Sequence, residues 1–577
     1  MHNNHCPLQP FIIMFKNLFS CRTTSTVALI LLLFLSPCPT KASPPANSIA
    51  LFADHPKYEV RAVWLTTIKR LDWPRAQSVA AQKQELCDIL DALYRANINT
   101  VLFQARIRAT TCYPSNIEPF DAIFSSSFDA LQFAIDECHK RGMELHAWMV
   151  TLPCGQWTGQ GCRHLRNIHP ELMKKIGDEG YLNPEVAGTA DYLSQLVDEV
   201  VSRYDVDGIH LDYIRYPETW KAGSASASAR RENITNIVRK IHTIVKQQKP
   251  WVKVSASPVG KYQDLPRYSS RGWNAFTAVA QDAQAWAREG IVDQLYPMMY
   301  FKDNQFFPFA LDWLEGSGNC TIVPGLGIYF LHPSEGKWQL RDITRQLVFL
   351  RQKGMGYALF RSRFFTDNTK GLYTYIADRH APYPALIPPM HNTPANGSRQ
   401  PTPVSRLIAD VGSEGIVLKW NHPTKDILFN VYADSVSPVN TDDVRNIIAV
   451  RTANRSIVIP RTGLKRRTCF AVAAVDRYGY ESTATQLMQP TGNYHGSSFI
   501  KTNGKVLQLP RHLMTGKERH VLITDMTGRR LHRVPVNHET TALNISRMPE
   551  GMYGLALADE AGMKNITYFT IRRKAAK

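Results

Sequence analysis

The sequence predicts an α/β protein, a (β/α)8 barrel followed by two small all-β sandwich domains. Two observations carry this. Between residues 58 and 375 short strand-like runs alternate with helical stretches until eight strands have been passed. A proline-punctuated segment then separates that region from a C-terminal part in which only strand patterns and turns recur. Eight strands each followed by a helix is the plan of a closed parallel barrel, and strand-only segments broken by turns are the plan of sandwiches. At 577 residues the chain has room for a large barrel and accessories, and its 44% hydrophobic and 20% charged residues are those of a folded, soluble protein.

The first 42 residues read as an export signal. Lys16 and Arg22 precede the apolar run Val27–Leu35, and Pro37 and Pro39 break it before a small-residue site at Ala42. The run is too short to span a bilayer. Met14 is an alternative start. A lipid anchor at Cys38 is the rival reading, which Pro37 disfavours.

The barrel is expected over 55–378. Its strands are Val60–Thr67, Thr100–Arg106, Glu144–Val150, Gly208–Ile214, Val252–Ser257, Val292–Tyr300, Ile322–Tyr329 and Gly356–Arg361. Helices are expected at Gln82–Ala96, Asp129–Arg141, Asp191–Tyr204, Arg231–Gln248 and Asp282–Glu289. An open doubly wound sheet is the alternative, but it would offer a Gly-rich phosphate turn after the first strand, and none is present. Residues 379–403 read as a Pro-rich linker. Residues 404–490 resemble a fibronectin type III domain, with Trp420 on an early strand and Cys469–Asp476 on a late one. Residues 497–577, with Val521–Arg530 and Leu543–Tyr553, resemble the C-terminal sorting sandwich of type IX secretion cargo.

Strand residues of a barrel alternate between its interior and the surrounding helices, and activity sits where the strands end. The alternation points Gln104 and Arg106, Glu144, His146 and Trp148, His210 and Asp212, and Tyr296, Met298 and Tyr300 inward. A purely structural interior would prefer Val, Ile and Leu. Asp212 stands out, because a carboxylate at the end of a central strand is costly to bury without a partner or a task. His146 and His210 read equally as hydrogen-bonded core histidines or as positioning groups. Trp148, Tyr296 and Tyr300 suit either packing or stacking on sugar faces. Asp207 and Asp293 begin their strands and read as caps or turn residues. The loop after the second strand supplies Glu118 and Asp121, and Glu218 lies just past the fourth strand. Hydrolysis of a glycoside needs two carboxyls, so Asp212 with Glu118 is the expected pair: Asp212 nucleophile or base, Glu118 proton donor. Gln104, Arg106, His146, Trp148, His210, Arg215, Tyr296 and Tyr300 are the expected substrate-binding shell.

The net charge of +19 is spread along the chain, with no clustered stripe or module for nucleic acid. A basic surface without special purpose and an acidic polysaccharide partner both fit it. Beyond residue 42 seven cysteines remain, sparse and odd in number, so neither a disulfide scaffold nor a zinc signature is present. Cys154 and Cys162 flank a Gly-rich loop and are the candidate bridge in an oxidising compartment; buried small hydrophobes are the equal alternative, and at most one disulfide is expected. No metal or organic cofactor is called for.

The phrases Glu59–Thr67, Leu71-Asp-Trp-Pro74, Asn99–Gln104, Tyr113-Pro-Ser115, His139–Trp148, Tyr204–Asp212 and Gln281-Asp282 before Trp286 resemble, in order, the glycosyl-hydrolase-like 10 family. The resemblance implies a TIM-barrel glycosidase acting on peptidoglycan glycan, particularly strands stripped of their stem peptides. The chain departs from many members by having Ala109-Thr110 in place of a Gly-Asp pair, and no Glu follows Ser255-Ala-Ser-Pro258. Such strands expose the lactyl carboxylate of muramic residues, which Arg106, Arg108 and Arg215 are placed to receive. The rival class is a non-catalytic polysaccharide-binding protein on the same scaffold. Two carboxyls facing each other across the cleft favour the enzyme.

Overall fold

In the computed structural model the described residues are 55–125, 127–220, 225–391, 400–411, 415–460 and 469–487, and, in the C-terminal segment, 506–509, 519–524, 530–536, 542–549, 551–559 and 562–571. The expected signal at 1–42 and Cys38 lie outside them.

Eight parallel strands form the barrel: β1 (Arg61–Leu65), β2 (Thr100–Arg106), β3 (Glu144–Val150), β4 (Gly208–Asp212), β5 (Lys253–Ala256), β6 (Gln294–Leu295), β7 (Thr321–Ile322 and Gly325–Leu326) and β8 (Tyr357–Leu359). Each pairs in parallel with the next, β8 returns to β1, and β7 joins β6 through its first half and β8 through its second. The ring is therefore closed. Pro324, which has no N–H to donate, divides β7, yet its carbonyl still accepts from Ala358 N at 3.0 Å. The same chemistry shortens β6. Pro297 interrupts the expected Val292–Tyr300 run, and Met299 N turns back to the Pro297 carbonyl at 2.9 Å.

Helices cover the outside because their apolar residues recur on one face. In α1 (Val79–Arg95) Gln82, Leu86, Leu90 and Leu93 are buried, and Ser78 caps the start by accepting from Ala81 N. In α2 (Ala130–Lys140) Asp129 does the same for Gln132 N. Within the barrel a separate core packs Val60, Ala62, Trp64, Leu102, Trp148, Val150, Tyr296, Val323 and Ala358 against one another. A three-stranded antiparallel insertion follows β3, in the order Pro153–Gln156, Glu179–Leu182, Met173–Ile176.

The start of the expected linker is not a free tether. Leu386 bridges to Tyr58, with Leu386 N donating to Lys57 O at 2.7 Å, and Met390 N donates to Tyr478 O at 2.9 Å. Beyond it, two antiparallel sheets share one core. One has the order Ser405–Val411, Gly415–Asn421, Ser456–Pro460; the other Ile447–Thr452, Leu428–Asp434, Cys469–Val475, Thr485–Gln486. The C-terminal segment contains a two-stranded sheet and a four-stranded antiparallel sheet around Leu507, Val521, Ile523, Leu543 and Leu555.

The first of these β-domains is locked to the N-terminal end of the barrel, the end opposite the strand C-termini. Arg451 donates to Glu144 Oε1 at 3.0 Å and to Asp207 Oδ1 at 2.6 Å. Lys253 donates to the same Glu144 oxygen at 2.6 Å, and His139 hydrogen-bonds Asp207 Oδ2 at 2.8 Å. Tyr480 OH adds a bond to Met390 O at 2.8 Å.

Cys154 and Cys162 are both free thiols. Of the two readings of this pair, the bridge is therefore corrected and the buried thiols stand: Cys162 Sγ donates to the Cys154 carbonyl at 3.2 Å, and burial pushes the Cys154 thiol up to about 12. No helix among the described residues is long and apolar enough to cross a membrane.

Candidate active site

Asp212 closes β4 at the C-terminal mouth of the barrel. Its Oδ1 accepts from Ser257 Oγ and from Tyr213 N, both at 2.8 Å, and its Oδ2 accepts from Trp148 Nε1 at 3.0 Å. Burial pushes this carboxyl upward, while the three donors and Arg215 oppose the shift without cancelling it.

The wall of the mouth is made by groups from several strand ends. Tyr213, at φ 51, presents a half-exposed ring next to Asp212. Arg215, almost wholly buried, stacks its guanidinium 4.8 Å from the Tyr213 ring centroid and 5.6 Å from that of Trp273, and pairs with Glu218 at 2.8 Å. Tyr300 lies on the other side, its ring 5.4 Å from Phe360 and 5.7 Å from Tyr329. Burial raises the Tyr300 phenol, and the Asp212 charge adds to the effect.

Several expected site residues do other work. Glu118 is not positioned as a proton donor. Its side chain is 0% exposed and bound in a forked ion pair, accepting from Arg106 Nε at 2.8 Å and Nη2 at 2.6 Å, with Tyr192 OH at 2.8 Å as a third donor. Arg106 spends its remaining Nη1 on the Val150 and Thr151 carbonyls, so it has nothing left for a substrate anion. The pair staples the loop after β2 to the end of β3. Glu118→Gln should therefore cost about 2–3 kcal/mol of stability, because Arg106 loses its charged partner, and leave turnover per folded molecule within about threefold. Urea unfolding beside active-site-normalised kinetics measures both; loss of turnover with unchanged stability would return Glu118 to the chemistry.

Gln104 holds the chain after β1, its Oε1 accepting from Thr67 N at 2.9 Å and Ile68 N at 2.8 Å. His146 is fully buried at the level of Glu144, 3.3 Å from its Oε2 and on the side of the Arg451 network, away from the mouth. His210 is also fully buried: Trp64 Nε1 donates to its Nε2 at 3.2 Å, and its Nδ1 lies 3.0 Å from Ser255 Oγ. Burial and the neighbouring His146 hold it far below the usual imidazole range, so it is a neutral core histidine. Tyr296, 0% exposed, donates to Gln294 Oε1 at 2.9 Å and packs on Trp64 and His210. These four residues support the site from below or behind and do not line it. Asp212, Trp148, Arg215 and Tyr300 do come together. Ser257 and Tyr213 were missed; Ser257, just past the end of β5, carries the signal of alternation, two positions on from Ser255.

A closed parallel barrel with a buried carboxyl and aromatic rings at the strand C-termini has the layout of a barrel enzyme's active site. The family described as glycosyl hydrolase-like 10 matches residues 59–229 and 219–326. The glycosyl hydrolase DigH of Escherichia coli (strain K12) is 31% identical over 339 residues, covering 50% of this chain and 76% of that protein. The glycosyl hydrolase YngK of Bacillus subtilis (strain 168) is 24% identical over 474 residues, covering 74% and 92%. Among solved structures, the glycoside hydrolase domain of PgaB (BpsB) from Bordetella bronchiseptica aligns with a TM-score of 0.41 at 12% identity, covering 56% of this chain and 99% of that one. The chain belongs to the glycosyl hydrolase-like 10 family and is a glycoside hydrolase.

Proposed function

We propose that the protein is an exported hydrolase of bacterial envelope polysaccharide, cleaving peptidoglycan glycan strands that lack stem peptides, with Asp212 as the proton donor. The observation that carries this is the setting of Asp212: buried at the mouth, fixed by Trp148, Ser257 and Tyr213 N, and pushed upward by burial. Glycosidic oxygen is a poor leaving group until protonated, and a carboxyl whose burial favours its protonated form is suited to supplying that proton.

An anionic glycan is supported by the charge around the site. Arg215 stacks on the Tyr213 ring beside Asp212, and two of its guanidinium nitrogens are buried without a hydrogen-bond partner. Tyr300, with Phe360 and Tyr329 beyond it, offers the apolar ring faces on which sugars stack. Export is supported by the order of charged, apolar and small residues before residue 43. The three-and-four strand division of the first β-domain supports a fibronectin-type sandwich, placed by us at 404–490 between the barrel at 55–378 and a C-terminal sorting-type domain at 497–577.

The test is digestion of purified glycan strands, with and without stem peptides, followed by mass spectrometry. Saccharide fragments from stripped strands, and fewer from peptide-bearing ones, are expected. Intact strands in both samples would sink the substrate assignment.

A further inference from the structure

Hydrolysis needs a second carboxyl, and Glu118 is occupied by Arg106. Glu179 and Glu218 are the acids paired with the two arginines that act on the Tyr213 ring beside Asp212. Glu179, on the insertion after β3, is held from both sides: its Oε1 accepts from Arg108 Nη1 at 3.0 Å and its Oε2 from Tyr181 OH at 3.1 Å. Glu218 differs. Its Oε1 lies 2.8 Å from Arg215 Nη1, but off the hydrogen-bond line, since that nitrogen has no hydrogen-bond partner, and its side chain is 47% exposed. It is oriented by charge and still open to solvent and ligand.

The chain between Asp212 and Glu218 is folded tightly enough to hold the two in a fixed relation. Arg215 N donates to Tyr213 O at 2.9 Å, Tyr216 N to Val279 O at 3.1 Å, and Trp220 N to Pro217 O at 2.9 Å. The Arg215 guanidinium is pinned against Tyr213 and Trp273. Asp212, Tyr213, Arg215 and Glu218 thus follow closely along the chain, with the guanidinium stacked on Tyr213 and paired with Glu218. Both carboxyls also act on the Tyr213 phenol. A carboxylate beyond the strand end, on a loop and half in solvent, is open to the water that an inverting reaction must activate.

We propose that Glu218 is the second catalytic carboxylate, the general base that activates water opposite the Asp212 proton donor. This rests on the reading of Asp212 given above. In the step, the bond between the anomeric carbon and the glycosidic oxygen breaks and its electron pair leaves with the oxygen, which takes the Asp212 proton. Water oxygen bonds to the anomeric carbon and gives a proton to Glu218. Asp212 ends ionised and Glu218 protonated, and exchange with solvent restores both. The configuration at the anomeric carbon is inverted.

The experiment compares wild type, Glu218→Gln, Glu179→Gln and Asp212→Asn on stripped glycan and on a dinitrophenyl glycoside of its disaccharide unit. Thermal melting serves as the folding control, and proton NMR reads the first-formed anomer. Glu218→Gln should lose at least about 10²-fold in kcat on both substrates, melt like wild type, and leave wild type giving inverted product. Asp212→Asn should lose the glycan but keep most of the dinitrophenyl reaction, because that leaving group needs no proton. Near-wild-type turnover by Glu218→Gln, a comparable loss in Glu179→Gln alone, or retained configuration would overturn the proposal. Full glycan turnover by Asp212→Asn would instead overturn the Asp212 reading, so the two failures are distinguishable.

Discussion

Asp212→Asn should lower kcat on glycan by about 10³-fold, near the middle of what a positioned general acid contributes, while the protein stays folded. The argument turns on which part of the Asp212 environment wins. Three donors point at the carboxyl and would hold it ionised, yet burial outweighs them and the net shift is upward. Asparagine keeps an acceptor for Ser257 and Tyr213 N, and its amide then faces the Trp148 N–H, which loses its bond. That loss is worth about 1 kcal/mol and is offset by no longer burying an ionisable group. The fold survives; the proton does not. The pH dependence follows from the same sign. A raised acid is active below its pKa, so wild-type turnover should fall as pH rises through it, and Asp212→Asn should lose that alkaline limb. A variant within about tenfold of wild type, with the limb intact, would remove Asp212 from the chemistry.

The sequence made Asp212 legible because alternation with period two decides which way a strand residue points. In β4 it separates Ile209 and Leu211 from His210 and Asp212, and all four lie in the expected strand. Alternation does not report height. Glu144, His146 and Trp148 share one inward row, but the first two belong to the ion network at the barrel's N-terminal end and only the third reaches the mouth. Nor does it report partners. Arg106 points inward as expected, yet Glu118 comes back on a loop to meet it, and the pair cancels in one stroke an expected acid and an expected anion receptor. Pro297 ends β6 early enough that Tyr300 is not a strand residue at all, though the Asp212 charge still acts on its phenol. The least legible feature was the longest-range one. Nothing near Arg451 in the sequence marks it as the partner of Glu144, some three hundred positions earlier.

Arg451→Ala tests whether the first β-domain is a spacer or a structural part of the barrel. An exposed ion pair contributes about 0.2–1 kcal/mol, so a spacer joined by surface charges would tolerate the change. Here both carboxylates are in the barrel's interior and the Arg451 side chain is only 11% exposed. Removing one partner of such a network leaves the others buried and uncompensated, at about 3–5 kcal/mol. Lys253 still serves Glu144, and His139 with Leu145 N still serves Asp207, but Asp207 Oδ1 loses its donor. The acid limb of stability gives an independent check. Burial would raise both carboxyls, but Lys253 and Arg451 hold Glu144 well below its usual range, and Arg451 and His139 do the same for Asp207. Groups depressed in the folded state contribute stability that is complete above their unfolded pKa, about 4, and is lost as pH falls through the folded values. His139 works in the opposite sense: burial lowers it, Asp207 more than restores it, and its share fades as pH rises through its raised folded value. Wild type should therefore lose stability steeply on acidification below about pH 4, and Arg451→Ala, already less stable at neutral pH, should show a shallower slope there. Urea midpoints measured across that range decide it, since a spacer would give two parallel curves separated by less than about 1 kcal/mol.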